Sequence, residues 1–338
     1  MDPISQGIVG STASLSGARS ADPSKIVALT VLGFLAGMAP DLDVFIRSTT
    51  DPLLYLEYHR GFTHSLLFIP VGGLICALAL FYLFRKRLRF FEAYLACTLG
   101  YATHGLLDGC TTYGTMLLWP FSDERISWNV ISIIDPLFTV PLIAFVVVCC
   151  RQKTIRPARY AALYGLTYLL IGQVQHQRAV AFGESLAFSR GHEVQHVEAK
   201  PSFANVGLWK LIYEHDGVFH VDAVNLYGSP KLYEGQSIAK LDLLRDLPNV
   251  PNGSTTANDI ARFTWFSRGY VALHPERADY VIDVRYSLVP NTVQPLWGIQ
   301  IPADTTLHTP FHMLRKVSEE RKKKFYAMLF RGEVTTTP

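Results

Sequence analysis

Ser65-LLFIPVGGLICALALFYL-Phe84 is a run of twenty residues without a single charge. A helix rises ~1.5 Å per residue, so a stretch of this length matches the ~30 Å hydrocarbon core of a bilayer. Four more apolar runs surround it. Ile26–Ile46 is apolar until Asp41 and Asp43, and Ala93–Leu107 is interrupted only by Thr98, Thr103 and His104. Val130–Cys150 holds one charge, Asp135, near its start, and Tyr160–Val174 holds none. The pattern predicts about five transmembrane helices, the third and fifth of them short. Ile4–Leu15 fits an interfacial or re-entrant helix. The residues before Lys25 have small side chains and no basic cluster ahead of an apolar core, which does not describe a cleavable signal peptide.

Composition agrees. Of 338 residues 49% are hydrophobic and 17% charged, against about 25% charged in average soluble chains, and mean hydropathy is positive at +0.19. These values exclude intrinsic disorder. A net charge of +3 without a Lys/Arg stripe interleaved with aromatics argues against nucleic acid as a partner. The five cysteines, at 76, 97, 110, 149 and 150, form neither a CxxC pair nor a disulfide framework.

After Gln175 charges, Pro and Gly are spread throughout. Leu208–Tyr213, Val218–Tyr227, Tyr270–Leu273 and Tyr280–Leu288 read as strands, several with polar–apolar alternation. Asn249–Ser254 is a turn cluster, and Ser318–Phe330 reads as a basic terminal helix. The expected fold is therefore an α-helical membrane domain of about five transmembrane helices, residues 1–176, followed by a soluble, β-rich α+β domain, residues 177–338.

Lys and Arg concentrate in two loops, at Arg85, Lys86, Arg87 and Arg89 and at Arg151, Lys153, Arg156 and Arg159. The positive-inside rule makes both cytoplasmic and puts the other loops, with the C-terminal domain, outside. On that map Asp41, Asp43, His59, His64, His104, Asp108 and Asp135 all arrive at the outer face. Ionisable groups near membrane depth are costly and mark functional sites. His104 and Asp108, at i and i+4, share one helix face. Imidazole and carboxylate together suit Zn²⁺, Mn²⁺ or Fe without choosing among them. Three His and three Asp fit a two-metal site, or one metal with acid/base groups and supporting partners. Arg60 is suited to bidentate pairing with a phosphate. Asp135, ahead of Pro136, reads either as an acid/base group or as a helix N-cap.

The blocks Pro40-Asp-Leu-Asp43, His59-Arg-Gly-Phe-Thr-His-Ser65, His104-Gly-Leu-Leu-Asp108, Thr111-Thr-Tyr-Gly-Thr115, Trp119-Pro-Phe121 and Ile134-Asp-Pro136, with the opening Met1-Asp-Pro-Ile-Ser-Gln6, resemble the YdjM-like family of inner-membrane metal-dependent hydrolases. The resemblance is strong to about residue 175 and weaker to about 215. It implies a multi-pass protein of a bacterial inner membrane, with the site and the C-terminal domain on the periplasmic side. It also implies metal ligands at Asp41, Asp43, His59, His64, His104 and Asp108. Some relatives have His where this chain has Gln6.

His192-Glu-Val-Gln-His196 matches the zincin pattern H-E-x-x-H, in which a helix presents both His to zinc. Here Arg190-Gly191 stands directly before it, and Gly ends helices, so a surface run is expected. His176 is a candidate for the rim of the main site. The residues thus point to a membrane hydrolase that uses metal-activated water on an ester or phosphoester, with catalytic candidates Asp135 and Arg60. One or two divalent ions, Zn or Mn, serve it, and the bilayer and an amphiphilic or lipid-linked substrate are its partners. The alternative is a non-enzymatic metal-binding transport or scaffold protein.

Overall fold

A computed structural model describes residues 1–18, 22–314 and 318–332. The chain separates into two compact units. The first holds residues 1–45, 58–174 and 203–205; the second holds residues 46–57, 175–202 and 206–338.

The first unit is helical. Its elements are α1 (Pro3–Ser16), α2 (Ile26–Met38), α4 (Ile69–Phe84), α5 (Phe90–Gly109), α6 (Pro136–Gln152) and the first half of α7 (Arg156–Ser189). Every apolar run read from the sequence lies on a helix, though the bounds differ. Two helical stretches, Ile26–Phe45 and Leu66–Phe84, are long and apolar enough to cross a membrane. The first loses its α-helical hydrogen bonding after Met38 and continues as a 3-10 turn over Ala39–Phe45, although Ala39 keeps a helical φ of -62°; Pro40 has no N–H with which to extend the α ladder. The fourth run does not start at Val130: residues 130–135 are irregular, and α6 begins at Pro136. Asp135 caps it, accepting hydrogen bonds from the amides of Leu137 and Phe138 at 3.1 and 3.3 Å, with Pro136 at the first helical position. The helix that carries the fifth run does not end at Val174: α7, 34 residues long, continues to Ser189.

Helix α1 packs inside this unit. Ser5, Gln6, Gly7, Gly10, Ser11 and Ser14 are buried. A Cβ on Gly10 would lie 2.3 Å from the carbonyl oxygen of Gly33 in α2, and one on Gly100 in α5 would lie 2.5 Å from that oxygen. Three helices therefore meet backbone to backbone, the contact small residues permit. Ser11 and Ser14 hydroxyls donate to the carbonyls of Thr30 and Leu29, so α2 satisfies these two polar side chains of α1.

The second unit holds α3 (Leu54–Tyr58), most of it in the 46–57 segment, the last part of α7, and two four-stranded antiparallel sheets among the described residues. One sheet is β1 (Val197–Pro201), β2 (Leu208–His215), β3 (Val218–Asn225) and β4 (Lys231–Ala239). The other is β5 (Val271–His274), β6 (Arg277–Asp283), β7 (Trp297–Gln300) and β8 (Phe311–Met313). Helices α8 (Leu243–Asp246) and α9 (Thr255–Phe266) connect them, and α10 (Glu319–Leu329) follows, capped by Ser318. Tyr280–Leu288 is strand only to Asp283; Val284 and Arg285 leave the ladder.

Ile212, Phe219 and Val221 of the first sheet pack with Ala272, Tyr280 and Ile282 of the second. Ala179, Val180 and Phe182 of α7 pack on Trp209, Leu211 and Val224. This core also buries charge. Asp283 and Arg285 pair at 2.7 Å, and the Lys200 ammonium sits 3.3 Å from the centre of the Tyr286 ring. Lys210 donates to Ser287 Oγ and the Thr292 carbonyl at 2.9 and 2.8 Å, and burial pushes its amine down to about 7.

Candidate metal centre

All six predicted ligands belong to the helical unit, and four of them converge. Asp41 comes from the 3-10 turn after α2, and His64 from a single 3-10 turn, Phe62–His64. His104 and Asp108 come from the last turns of α5. Each of the four offers one donor atom, and all of these lie within 4.8 Å of one another. Gly105 makes the approach of His64 to α5 feasible: a Cβ there would lie 2.2 Å from the His64 carbonyl oxygen. The glycine in H-G-L-L-D is thus a packing requirement of the site.

Proton counting shows what the cluster needs. Thr63 Oγ donates to Asp43 Oδ2 at 2.8 Å, so its hydroxyl is left to accept from His64 Nδ1 at 3.0 Å. The proton of His64 is then on Nδ1, and Nε2 carries a lone pair. His104 Nδ1 lies 2.6 Å from the Gly37 carbonyl, which only accepts, so its Nε2 also carries a lone pair. These two nitrogens face Asp41 Oδ1 at 3.5 and 3.2 Å and Asp108 Oδ2 at 3.6 and 3.8 Å. His64 Nε2 and Asp108 Oδ2 are buried without a hydrogen-bond partner. Four acceptors pointed at one another repel; Arg60 Nε, 3.0 Å from Asp108 Oδ2, offsets part of that charge, and added protons or a divalent cation would offset the rest. Corners of a tetrahedron with bonds of about 2.0–2.2 Å, as in zinc sites, lie about 3.3–3.6 Å apart. The donor set and its spacing fit a divalent ion.

Asp43 stands differently. Its Oδ1 pairs with His59 Nδ1 at 2.7 Å, and its Oδ2 accepts from the Arg60 amide at 3.0 Å and lies 3.3 Å from His64 Nδ1. It supports two imidazoles from behind, the carboxylate–histidine–metal arrangement. Asp41, Asp43 and His59 form a second, looser group that shares Asp41 with the first.

Arg60 is buried and adopts a left-handed backbone, φ 66°, a conformation costly for a non-glycine residue. Its Nε lies 3.0 Å from Asp108 Oδ2, off the N–H direction, so the two make a charge pair without a hydrogen bond. Its Nη1 donates to Thr111 Oγ at 3.0 Å. The guanidinium therefore braces Asp108, where the sequence suggested a phosphate partner. Asp135 is not brought into either group; its second oxygen accepts from Tyr168 Oη at 2.8 Å.

Sequence reasoning passed over three contributors. Gln6 Nε2 donates to Asp108 Oδ1 at 2.8 Å, and the Met1 amino group contacts the same oxygen. The only signal for Gln6 was the alternation of Gln and His at this position in the resembling family. Gly37 contributes through its carbonyl, which no side-chain pattern reveals.

The H-E-x-x-H pentapeptide lies in the irregular segment between α7 and β1, in the second unit, with no helix to align its histidines. His196 is 63% exposed and His192 Nδ1 bonds Tyr213 Oη at 3.0 Å. His176 packs its ring against Trp209, 5.8 Å between centres, where burial lowers its pKa.

Comparison with known proteins bears on the helical unit. The chain is 27% identical over 140 residues to YfhP of Bacillus subtilis (strain 168), an uncharacterized protein, covering 41% of this chain and 42% of the relative. It is 37% identical over 116 residues to the inner membrane protein YbcI of Escherichia coli (strain K12), covering 32% of this chain and 66% of the relative. The chain thus spans less than two thirds of the length of either relative. No solved structure matches it. The model of the YdjM inner membrane protein family matches residues 1–179, the whole stretch that carries the convergent His and Asp residues, and this chain belongs to that family.

Proposed function

We propose that the protein is a multi-pass membrane hydrolase in which Asp41, His64, His104 and Asp108 hold one divalent ion, Zn²⁺ or Mn²⁺. The observation that carries this reading is the convergence of four His and Asp donor atoms within 4.8 Å of one another, three of the four residues buried, with His64 Nε2 and Asp108 Oδ2 lacking any hydrogen-bond partner. Such an ion, when bound, supplies Lewis acidity and lets water ionise near neutral pH. The chain's own residues prepare the site. Gly37 and Thr63 set the histidine tautomers, Asp43 braces His64, and Arg60 and Gln6 hold Asp108. His59, fixed at Nδ1 by Asp43 and 30% exposed, is the proton carrier.

The five apolar runs are read as spans, and the distribution of Lys and Arg supports an orientation with the site and the C-terminal domain on the periplasmic side. A centre at the ends of apolar helices suits an amphiphilic substrate, so the bond cleaved is an ester or phosphoester of a lipid. The test is a panel of phospholipids and prenyl phosphates in mixed micelles with Zn²⁺ or Mn²⁺. Turnover lost on chelation and in Asp108→Ala supports the reading. Turnover undiminished in Asp108→Ala places the activity elsewhere, and metal-loaded protein that cleaves no ester is a non-enzymatic metal binder.

A further inference from the structure

Residues 46–57 join the segment bearing Asp41 and Asp43 to the one bearing His59 and His64, yet they belong to the second compact unit. Leu53 and Leu56 of this connector are buried, and Tyr55 packs edge-on against Phe311 of β8 at 5.6 Å. Arg262 of α9 grips it directly. Its Nη1 and Nη2 donate to Asp51 Oδ1 and Oδ2 at 3.0 and 2.8 Å, and its Nε donates to Glu57. Nη1 also reaches Asp259 Oδ1 at 2.8 Å. Asp259 in turn accepts from the Thr309 amide at 2.8 Å and faces His308 Nδ1 at 3.0 Å.

Asp51, Asp259 and His308 are close enough together to suggest a second metal site. Arg262 rules against it, because its guanidinium already donates hydrogen bonds to both carboxylates, which Arg60 does not do at Asp108. The cluster is a clamp, built on the planar fork that pairs carboxylates in bidentate fashion. Its connector-side grips sit at Asp51, eight positions after Asp43, and at Glu57, two positions before His59.

Resting on the metal reading above, we propose that Arg262 is a positioning residue of the metal centre. By fixing the connector at Asp51 and Glu57, it lets the C-terminal domain set the spacing between Asp41 and His64. Two of the four donors lie on the segments flanking this connector, whereas His104 and Asp108 are fixed by α5. Freeing twelve connector residues (46 to 57) lets the first pair drift relative to the second. Pre-organised ligands bind more tightly because less motion is lost on binding.

The test uses the full chain in detergent with Co²⁺ as the probe. Chelator competition reads affinity, the visible Co²⁺ band reads ligand geometry, and amide hydrogen exchange reads the freedom of residues 46–57. Arg262→Ala should speed exchange in the connector, weaken Co²⁺ binding about 10-fold or more, as supporting residues of metal sites do, and shift the band. Arg262→Lys keeps the charge without the fork and should fall between. Asp51→Asn with Glu57→Gln leaves the Arg262–Asp259 pair inside the domain and should reproduce the loss. A connector that exchanges faster while affinity and band stay unchanged overturns the proposal, as does a loss seen only with Arg262→Ala. Wild-type protein that binds no Co²⁺ defeats the metal reading itself and the clamp with it.

Discussion

Asp43→Asn separates a ligand from a residue that orients ligands. Asp43 accepts from Thr63 Oγ and the Arg60 amide, pairs with His59 Nδ1 and stands 3.3 Å from His64 Nδ1, but does not belong to the four-donor group. Asparagine keeps the shape and one acceptor while removing the charge. A hydrogen bond to a charged group contributes ~1.5–3 kcal/mol and a neutral one ~0.5–1.5, so the exchange weakens the bond from Thr63 Oγ to Asp43, and through it the support of His64, by about 1–2 kcal/mol. That agrees with the ~10–100-fold loss of metal affinity typical of supporting residues. His104→Ala deletes a donor and should cost at least as much again. The assay is Zn²⁺ affinity by chelator competition on detergent-purified protein, with metal content measured in parallel. Asp43→Asn as damaging as His104→Ala would make Asp43 a direct ligand and favour a two-ion centre. Wild-type affinity in Asp43→Asn would refute the orienting role.

Asp135→Ala removes the cap of α6 and strands the Tyr168 hydroxyl, so thermal unfolding should show a loss of about 2–3 kcal/mol while metal content stays at the wild-type level. The Lys210 amine is about 7 when folded and 10.5 in the ordinary case, so the unfolded chain binds the extra proton between these values and stability rises with pH there. The gain from pH 6.5 to 9 is about 2–3 kcal/mol by linkage. It is measurable as the pH slope of thermal or denaturant unfolding, and Lys210→Met should flatten it. Cysteine labelling of intact cells should reach Ser229→Cys and spare Lys86→Cys; external labelling at position 86 would reverse the proposed orientation.

The helical character of the first half was legible because uncharged runs such as Ser65–Phe84 leave the backbone no option but to bond itself in an apolar medium. Helix ends were less legible. The break of α2 at Ala39 has a local cause in Pro40, but the irregular stretch 130–135 and the continuation of α7 to Ser189 depend on what each segment packs against. In the second half, Leu208–Tyr213 and Val218–Tyr227 announced themselves by β-rich composition. By contrast β4, β7 and β8 are short or largely exposed and carry no such signature.

At the site, sequence alone selected the chemistry: His and Asp at the ends of apolar runs have few other reasons to be there. His104 and Asp108 were paired by helical periodicity, a local rule. Roles within the set needed the tertiary structure, because a role depends on which atom of a side chain faces which partner. Asp41 and Asp43 are two residues apart and chemically identical, yet one offers an oxygen to the cluster and the other faces away to hold His59 and His64. Asp135, which the sequence left as either an acid/base group or a helix cap, caps α6. The assignment of residues 46–57 to the second unit, and their grip by Arg262 more than 200 positions away, had no local signal. Charge pairing across such a separation is decided only when the chain has folded.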